Sequence, residues 1–301
     1  MLTKAVESYI AMRRACGFAF QSEGTCLQGF ATFSDARGHH YIRSDIAIEW
    51  ARQARSTRQR ARRLGIVIRF ARYVRAEDGR HELPAVLGSE TTPRPVPYIF
   101  SPEAIQQLMQ AASRAGYRTL RRATYSTLFG LLACTGLRLS EAIHLRYADI
   151  TQDGLVIRRT KFRKSRLVPL HDTTRAALDR YLEQRRPYAR LDDHVFISLR
   201  RKPLLVHDAE RAFRTAARNI GLQREPGRPR PTIHALRHTF AVRALEACPD
   251  DRDRITQHMV ALSTYLGHGH VAHTYWYLEA TSQLMGDISQ RCERFVMGVH
   301  P

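Results

Sequence analysis

A proline-rich stretch is the feature that most limits how this chain can fold. Between Pro84 and Pro97 lie four prolines, one glycine, one serine and two threonines, with few apolar residues. Proline fixes φ and lacks a backbone N–H, so a helix cannot run through this stretch, and the composition is typical of an extended linker. We therefore predict two domains, over residues 1–83 and 100–301, joined by a linker over 84–99.

The first domain is predicted to be helical throughout. Apolar residues recur at helical spacing in four segments, over 2–16, 25–33, 44–54 and 56–75. Ser44 and Ser56 stand at the start of two of these segments. Serine is a favoured N-cap because its hydroxyl accepts from an orphan N–H of the first turn. We expect each serine to cap its helix.

The second domain is predicted to be mainly helical with one small sheet. Helical patterns cover 102–115, 120–135, a short segment from 139, 173–185, 207–219, 234–247 and 255–266. Alternating residues over 155–170 predict a β-hairpin. Ser101 and Pro102 are suited to be the N-cap and first residue of the first helix. The predicted fold class is mainly α, with an α+β second domain whose small sheet is antiparallel.

The net charge points to a polyanionic partner. Lysine and arginine number 48 against 28 acidic residues, which gives a formal net charge of +20. Such an excess is the electrostatic footprint of a nucleic-acid-binding protein. No run of about 18 apolar residues is present, and the first helix lacks a signal-peptide pattern. We expect a cytoplasmic, nucleoid-associated protein that does not contact membranes.

The sequence gives no indication of a metal or a cofactor. Its five cysteines, at positions 16, 26, 134, 248 and 292, lie far apart and form no CxxC pair, so neither disulfides nor structural zinc is expected. A GxxxxGK[ST] loop for nucleotides is absent, and so is an acidic cluster of the kind that holds paired magnesium ions. We therefore expect no cofactor.

Arginines are concentrated towards the end of the first domain. Nine lie between Ala51 and Arg75, with no acidic residue among them. A solvated helix face is one interpretation. Contact with DNA phosphates is the interpretation we favour, because so many uncompensated cations repel one another unless phosphates lie nearby. The candidate DNA-binding residues are Arg52, Arg55, Arg58, Arg62, Arg63 and Arg69.

The segment TGLRLSE, over residues 135–141, contains the first candidate catalytic arginine. Arg138 follows Gly136, which allows a sharp turn between two helices. Glu141 comes three residues later, close enough on a helix to orient the guanidinium. The planar fork of donors fits two phosphate oxygens. The alternative is a helix-start arginine that only pairs with Glu141.

The segment HALRH, over residues 234–238, contains a second arginine. His234 and Arg237 are three residues apart and share one helix face, and His238 can hydrogen-bond from the flank. This spacing alone is common by chance. Arg138 and Arg237 together, however, provide two guanidinium groups, which suit the doubled negative charge of a pentacoordinate phosphorane.

A lysine and a histidine complete the polar candidates. Lys161 ends a strand-like run in the predicted hairpin; a lysine at such a tip is usually only solvated, and Lys164 is the alternative because the tip can shift in register. His268 follows Gly267, a predicted helix stop, and is suited to donate to a phosphate oxygen. A zinc site is the less favoured reading, because the spacing fits neither HExxH nor a finger. The histidines of that alternative are His258, His268, His270 and His273.

Two tyrosines close the series in the segment TYWYL. Tyr275 and Tyr277 flank Trp276, and composition does not separate them. An aromatic group of this kind is ordinarily packing. A phenol has a pKa near 10, so attack at neutral pH needs nearby arginines or a base to take the proton.

These five stretches, in their order and spacing, resemble the tyrosine recombinase family, also called phage-type integrases. The resemblance covers residues 100–279. It implies that a tyrosine attacks the scissile phosphate and forms a 3′-phosphotyrosyl ester, which conserves the bond energy so that religation needs neither ATP nor metal. In the family the nucleophile follows the histidine by nine positions, which selects Tyr277 here.

The resemblance also implies roles for the other residues. Arg138, Arg237 and His268 stabilise the transition state. His234 serves as acid and base, and Lys161 protonates the leaving 5′ oxygen. The first domain corresponds to the core-binding domain that clamps one side of the duplex.

The implied substrate is double-stranded DNA with specific recombination sites. Family members work as homotetramers, so the tail over residues 280–301 is expected to dock on a neighbouring protomer. The TYWYL ending and the arginine-rich front resemble recombinases of mobile elements, which would act in integration, excision or resolution. Two alternatives remain open: a DNA-binding protein without catalysis, and a type IB topoisomerase.

Overall fold

The chain divides into two compact units, Met1–Arg94 and Pro95–Pro301, and each is described by itself. The computed structural model describes residues 1–85, 96–114, 119–158, 165–191, 193–198, 200–223, 229–247, 252–268 and 270–277. The division falls inside the proline-rich stretch. Within the described residues, no helix is long and apolar enough to cross a membrane.

In its described residues, 1–85, the first unit consists of four helices around one apolar core. They are α1 (Leu2–Ala15), α2 (Gln21–Asp35), α3 (Ser44–Arg52) and α4 (Thr57–Glu77). Leu27, Phe30, Val67 and Phe70 are fully buried in this core. The long α4 packs against each of the other three helices. The sequence prediction of a small helical unit is therefore correct.

In the first unit, one of the two predicted serine caps is correct and the other is wrong. Ser56 is the N-cap of α4, where its Oγ accepts from the N–H of Gln59 at 3.3 Å. Ser44 is instead the first residue of α3, and Arg43 is the N-cap. The backbone N–H of Ser44 donates to Oε2 of Glu82 at 2.7 Å. A carboxylate distant in sequence thus caps α3, and nothing local in the sequence indicated it.

Over its described residues, the second unit is mainly helical with a three-stranded sheet. Its elements are α5 (Pro102–Arg114), α6 (Thr119–Thr135), α7 (Leu139–Ile143), β1 (Ile150–Thr151), β2 (Gly154–Ile157), β3 (Arg166–Val168), α8 (Asp172–Arg185), α9 (Val206–Asn219), α10 (Ile233–Glu246), α11 (Arg252–Leu266) and α12 (Ala272–Tyr275). Short 3₁₀ turns cover Tyr147–Asp149 and Arg186–Leu191. This confirms the predicted fold class.

The sheet is antiparallel in the order β1-β2-β3. Leu155 pairs with Val168, and Ile157 pairs with Arg166, so β2 and β3 form the predicted hairpin. The two-residue strand β1 was not predicted, because two residues are too few to show an alternating pattern. The register places Arg166 at the end of the sheet that adjoins residues 159–164, which lie outside the described part of the chain.

Buried helices position the segments that contain the candidate residues. The buried face of α6 contributes Leu128, Phe129 and Leu132 to a large core, and α6 packs against α5, α8 and α10. A second cluster joins α10 and α11 and includes Tyr277. The backbone N–H of Phe100 donates to Oγ1 of Thr239 on α10 at 3.0 Å, which anchors the beginning of this unit.

Candidate active site

Glu141 lies at the centre of a charged cluster. Arg138, the N-cap of α7, donates from Nη1 to Oε1 of Glu141 at 2.7 Å and from its backbone N–H to Oε2 at 3.0 Å. Arg166 donates from Nη1 and Nη2 to the same two oxygens at 3.1 and 2.9 Å. Burial by itself raises the pKa of Glu141, but the hydrogen bonds from Arg166 and from the Arg138 backbone lower it to about 2. The ionised carboxylate therefore holds two guanidinium groups.

Acid should remove this stabilisation. The pKa of Glu141 falls from an ordinary 4.5 to about 2 in the folded protein. A carboxyl whose pKa is depressed by folding stabilises the folded state above its unfolded pKa, and that contribution is lost as pH falls through the folded pKa. Between pH 4.5 and about 2, we expect the wild-type Tm to fall more steeply than that of Glu141→Gln. Calorimetry over this range measures the difference.

Glu183→Gln is the control for this measurement, since Glu183 is exposed on α8. Its Tm should follow the wild-type curve. Parallel curves for Glu141→Gln and the wild type would contradict the lowered pKa of Glu141.

Gly136 makes the turn between α6 and α7 that aims Arg138. It has φ +60°, and a Cβ there would lie 2.5 Å from Cδ1 of Phe240. Only glycine fits this left-handed, closely packed position. Its carbonyl oxygen also accepts from Nη1 of Arg237 at 2.6 Å. The turn in TGLR thus connects the two candidate arginines.

The C-terminal end of α11 binds three arginines through consecutive carbonyl groups. The oxygen of Tyr265 accepts from Nε of Arg166 at 2.7 Å. The oxygen of Leu266 accepts from Nη2 of Arg237 at 2.7 Å, and the oxygen of Gly267 accepts from Nη2 of Arg138 at 2.9 Å. Cations are favourable at this end of a helix because its last carbonyls carry partial negative charge. One helix end therefore sets the positions of three guanidinium groups.

A Schellman-type ending leaves these carbonyls available. The N–H of Gly267 donates to the oxygen of Thr264, and the N–H of His268 donates to that of Ser263. These are the two bonds that close such a helix end. Gly267 has φ +66°, as the motif requires. His268 therefore leaves the helix immediately beside the arginines.

Arg237 is almost completely buried, with 2% of its surface exposed. Burial lowers its pKa to about 10, and the positive charge of Arg138 acts in the same direction. Arg237 therefore remains protonated at neutral pH. Its two bonds to the backbone oxygens of Gly136 and Leu266 fix the guanidinium between α6 and α11.

The hydroxyl of Tyr277 contacts a histidine of the HALRH segment. It lies 3.2 Å from Nδ1 of His238, and the Tyr277 side chain is buried with 3% exposure. The ring of His268 lies nearly parallel to that of Tyr277, with centroids 6.2 Å apart. Nδ1 of His268 is 2.8 Å from Oγ1 of Thr274. Tyr277 is thus held between two imidazoles.

The structure separates the two tyrosines that composition could not. Tyr275 is 52% exposed, whereas Tyr277 packs in the cluster on α10 and α11. His234 is exposed at the start of α10, and its ring is 4.6 Å from that of His238, centroid to centroid. Lys161 and Lys164 lie outside the described residues.

An open cleft of about 820 Å³ adjoins Arg138. Besides Arg138, cationic Arg146 and Arg158 line it, together with His144 and His194. Two carboxylates, those of Glu141 and Asp149, also line the cleft, so the three arginines leave a small excess of positive charge on its walls. In the described part of the chain, His258, His268, His270 and His273 belong to no group of three or more residues that could hold a metal ion.

The first unit presents four arginines of α4 in one row. Arg58, Arg62, Arg69 and Arg72 are exposed, and their spacing places them on one helix face. Among the described residues, none of the four forms an ion pair with an acidic side chain. Arg52 and Arg55 are exposed at and after the end of α3.

Arg63 differs from this row. It is half-buried, its guanidinium lies 4.9 Å from the centre of the Trp50 ring, and Nη1 donates to the Trp50 oxygen at 3.5 Å. The Arg63 side chain therefore contacts Trp50 of α3 inside the first unit.

Comparisons with known proteins identify the chain. The model of the phage integrase family matches residues 99–283, which is more than half of the sequence. A protein of Sinorhizobium fredii named as an integrase/recombinase, y4rB, is 39% identical over 303 residues, covering 97% of this chain and 96% of that protein. The chain belongs to the phage integrase family. It is a tyrosine-type site-specific DNA recombinase.

Further relatives agree with this assignment. The tyrosine recombinase XerD of Caulobacter vibrioides is 29% identical to this chain over 242 residues, which cover 76% of this chain and 73% of XerD. The integrase of the transposon Tn1549, solved with transposon right end DNA, has a TM-score of 0.66 at 17% identity and covers 99% of both chains. A lambda integrase tetramer bound to a Holliday junction has a TM-score of 0.63 at 18% identity, covering 89% of this chain and 77% of that chain. These two structures share the fold of the recombinase.

Sequence reasoning missed Arg166 as a member of the site. In the sequence it is only the residue that follows the predicted turn, which contains Arg163 and Lys164. Its partner Glu141 is 25 positions away, so no local spacing connects them. A motif can show which residue types are present, but only the fold shows which arginine reaches the carboxylate.

Proposed function

We propose that the recombinase cleaves DNA by attack of Tyr277 on the scissile phosphate. The observation that carries this proposal is the contact between the buried Tyr277 hydroxyl and Nδ1 of His238, beside the arginine cluster. Attack forms a bond between the tyrosine oxygen and the 3′ phosphate and breaks the bond to the 5′ oxygen. The reverse attack by a 5′ hydroxyl then rejoins a strand without ATP.

Arg138, Arg237 and His268 are proposed to stabilise the pentacoordinate transition state. Arg138 is supported in this role by its position, since 29% of its side chain is exposed beside an open cleft. Arg237 is held rigidly by two carbonyl oxygens. Donors held in place before the reaction stabilise developing charge without reorganisation.

Proton transfer is assigned to His234 and Lys161, with His238 in support. His238 orients the Tyr277 hydroxyl, and His234, whose ring adjoins that of His238, serves as acid and base. Lys161 protonates the leaving 5′ oxygen. This last role rests on the family resemblance, because Lys161 lies outside the described residues.

We propose that the substrate is a pair of specific recombination sites of a mobile element, in the cytoplasm on the nucleoid. Support comes from the integrase/recombinase of Sinorhizobium fredii and from the transposon integrase that shares this fold. A homotetramer is proposed by analogy with the lambda integrase tetramer. Its protomers would be joined by the tail over residues 280–301, which lies outside the described residues.

Trapping of a covalent adduct tests this function. A nicked duplex that carries the recombination site loses a short strand after cleavage, so the 3′-phosphotyrosyl ester cannot be reversed. The wild type should form a protein–DNA adduct that survives denaturation. A duplex bound without any adduct would indicate a DNA-binding protein that lacks catalysis.

The row of arginines on α4 is proposed to contact DNA phosphates. Replacing Arg58, Arg62 and Arg69 together by glutamine should weaken binding across all sequences. Each lost phosphate contact should lower the slope of log K against log salt by about 0.9. Binding measured by fluorescence anisotropy at several salt concentrations gives this slope.

A matched triple variant controls for the loss of charge. Arg37, Arg43 and Arg80 belong to the same unit, but each forms an ion pair, with Glu49, Asp45 and Asp78 respectively. Changing these three to glutamine removes the same formal charge and should leave the salt slope nearly unchanged. Equal slopes for the two triple variants would contradict phosphate contact by the α4 row.

A further inference from the structure

Arg166 joins three separate segments of the second unit. Its Nη1 and Nη2 donate to the two oxygens of Glu141, and its Nε donates to the carbonyl oxygen of Tyr265 at 2.7 Å. Glu141 lies on α7, Tyr265 lies near the end of α11, and Arg166 itself begins β3. The side chain of Arg166 is therefore a brace between a strand and two helices.

The brace ends on the groups that hold Arg138. Glu141 accepts from Arg138 as well as from Arg166. The carbonyl of Gly267, which accepts from Arg138, is two residues from the Tyr265 carbonyl. Loss of Arg166 would thus weaken both supports of Arg138, the carboxylate of Glu141 and the end of α11.

Arg166 is poorly placed to contact DNA itself. Only 11% of its side chain is exposed, against 29% for Arg138. All three of its guanidinium nitrogens already donate to protein oxygens. The bidentate pair with Glu141 and the low exposure of the side chain leave Arg166 little surface to offer a phosphate.

We propose that Arg166 is a positioning residue that acts on the scissile phosphate through Arg138. It fixes Glu141 and the end of α11, and these two fix the Arg138 guanidinium. This inference rests on the proposed role of Arg138. It adds a residue of β3 to the machinery of strand cleavage and ties the predicted hairpin to the phosphate site.

A double-mutant cycle on the full-length protein tests the proposal. Single-turnover cleavage of the nicked duplex is measured for Arg166→Gln, Arg138→Ala and the double variant. Arg166→Gln should slow cleavage by about 100-fold, the scale of a small misplacement of a catalytic group. Adding Arg166→Gln to Arg138→Ala should change the rate by no more than about twofold, because the two residues act as one unit. Effects that multiply would overturn the proposal.

Conservative and remote variants separate positioning from folding. Arg166→Lys keeps one charged donor for Glu141 but not the fork, so its rate should lie between those of Arg166→Gln and the wild type. Arg175→Gln is the matched control: Nη2 of Arg175 donates to the oxygens of Thr151, at the end of β1, and of Gln152, the next residue. It should cleave at the wild-type rate. A wild-type rate for Arg166→Gln would also overturn the proposal.

A second readout does not depend on cleavage. The Nε–H signal of Arg138, assigned by its absence in Arg138→Ala, reports the mobility of that side chain by ¹⁵N relaxation. It should become mobile in Arg166→Gln and stay rigid in Arg175→Gln. If Arg138 stays rigid in Arg166→Gln, the positioning role is overturned. If Arg138 becomes mobile in Arg166→Gln but the wild type does not cleave DNA, only the proposed function is overturned.

Discussion

Replacement of Tyr277 by phenylalanine should abolish the covalent protein–DNA adduct and leave duplex binding nearly intact. The aromatic ring is buried among α10 and α11 side chains, and phenylalanine preserves that packing. The variant lacks only the hydroxyl, the atom that would bond to phosphorus. Binding should persist because phosphate contacts elsewhere dominate affinity. Denaturing gels of the nicked-duplex reaction measure the adduct, and gel shifts measure binding.

Tyr275→Phe is the matched control. Tyr275 is two residues away and 52% exposed, so its loss should leave the amount of adduct unchanged. An adduct that persists in Tyr277→Phe and disappears in Tyr275→Phe would reassign the nucleophile.

Arg138→Ala and Arg237→Ala should each slow cleavage by a factor of about 100 to 1,000, the usual scale for losing one charge-stabilising donor. The two variants should differ in stability. Arg237 is buried, and its removal leaves the carbonyl oxygens of Gly136 and Leu266 without these donors, at a cost of about 1 to 3 kcal/mol for each unsatisfied group. Arg138 is partly exposed, so its loss should lower the Tm less. Single-turnover rates and calorimetry measure the two effects.

Arg243→Ala controls for loss of charge on α10. Arg243 is exposed and paired with Glu246, six residues beyond Arg237 in the same helix. It should cleave like the wild type and bind DNA with similar affinity. If Arg138→Ala and Arg237→Ala weakened binding as much as cleavage, they would belong to the DNA-holding surface and not to the chemistry.

Much of the fold was predictable because helices leave a local signature. The spacing of apolar residues located each helix of the second unit from α5 to α11, with ends that differ from the observed ones by a few residues. Arg138 and Glu141 could be paired from sequence for the same reason, since residues three apart lie together on a helix. The wrong cap at Ser44 shows the limit, because its partner Glu82 is 38 positions away.

The parts of the site that could not be predicted from the sequence are contacts between distant segments. Arg166 reaches Tyr265 across 99 positions, and Arg237 reaches Gly136 across 101. Any residue type has a backbone carbonyl, so no motif could indicate that the last carbonyls of α11 accept hydrogen bonds from arginines. The choice between Tyr275 and Tyr277 likewise rested on family spacing, and burial is the physical property that distinguishes them.

The helix end at Tyr265 to Gly267 makes the site an all-or-none assembly. Its three carbonyls accept from arginines that come from β3, α10 and the turn before α7. A shift of α11 along its axis would break all three bonds together and would move His268 with them. Packed interfaces switch between discrete arrangements and do not deform gradually. We therefore expect that a displacement of α11 would disturb three arginines together, and with them the proposed cleavage of DNA.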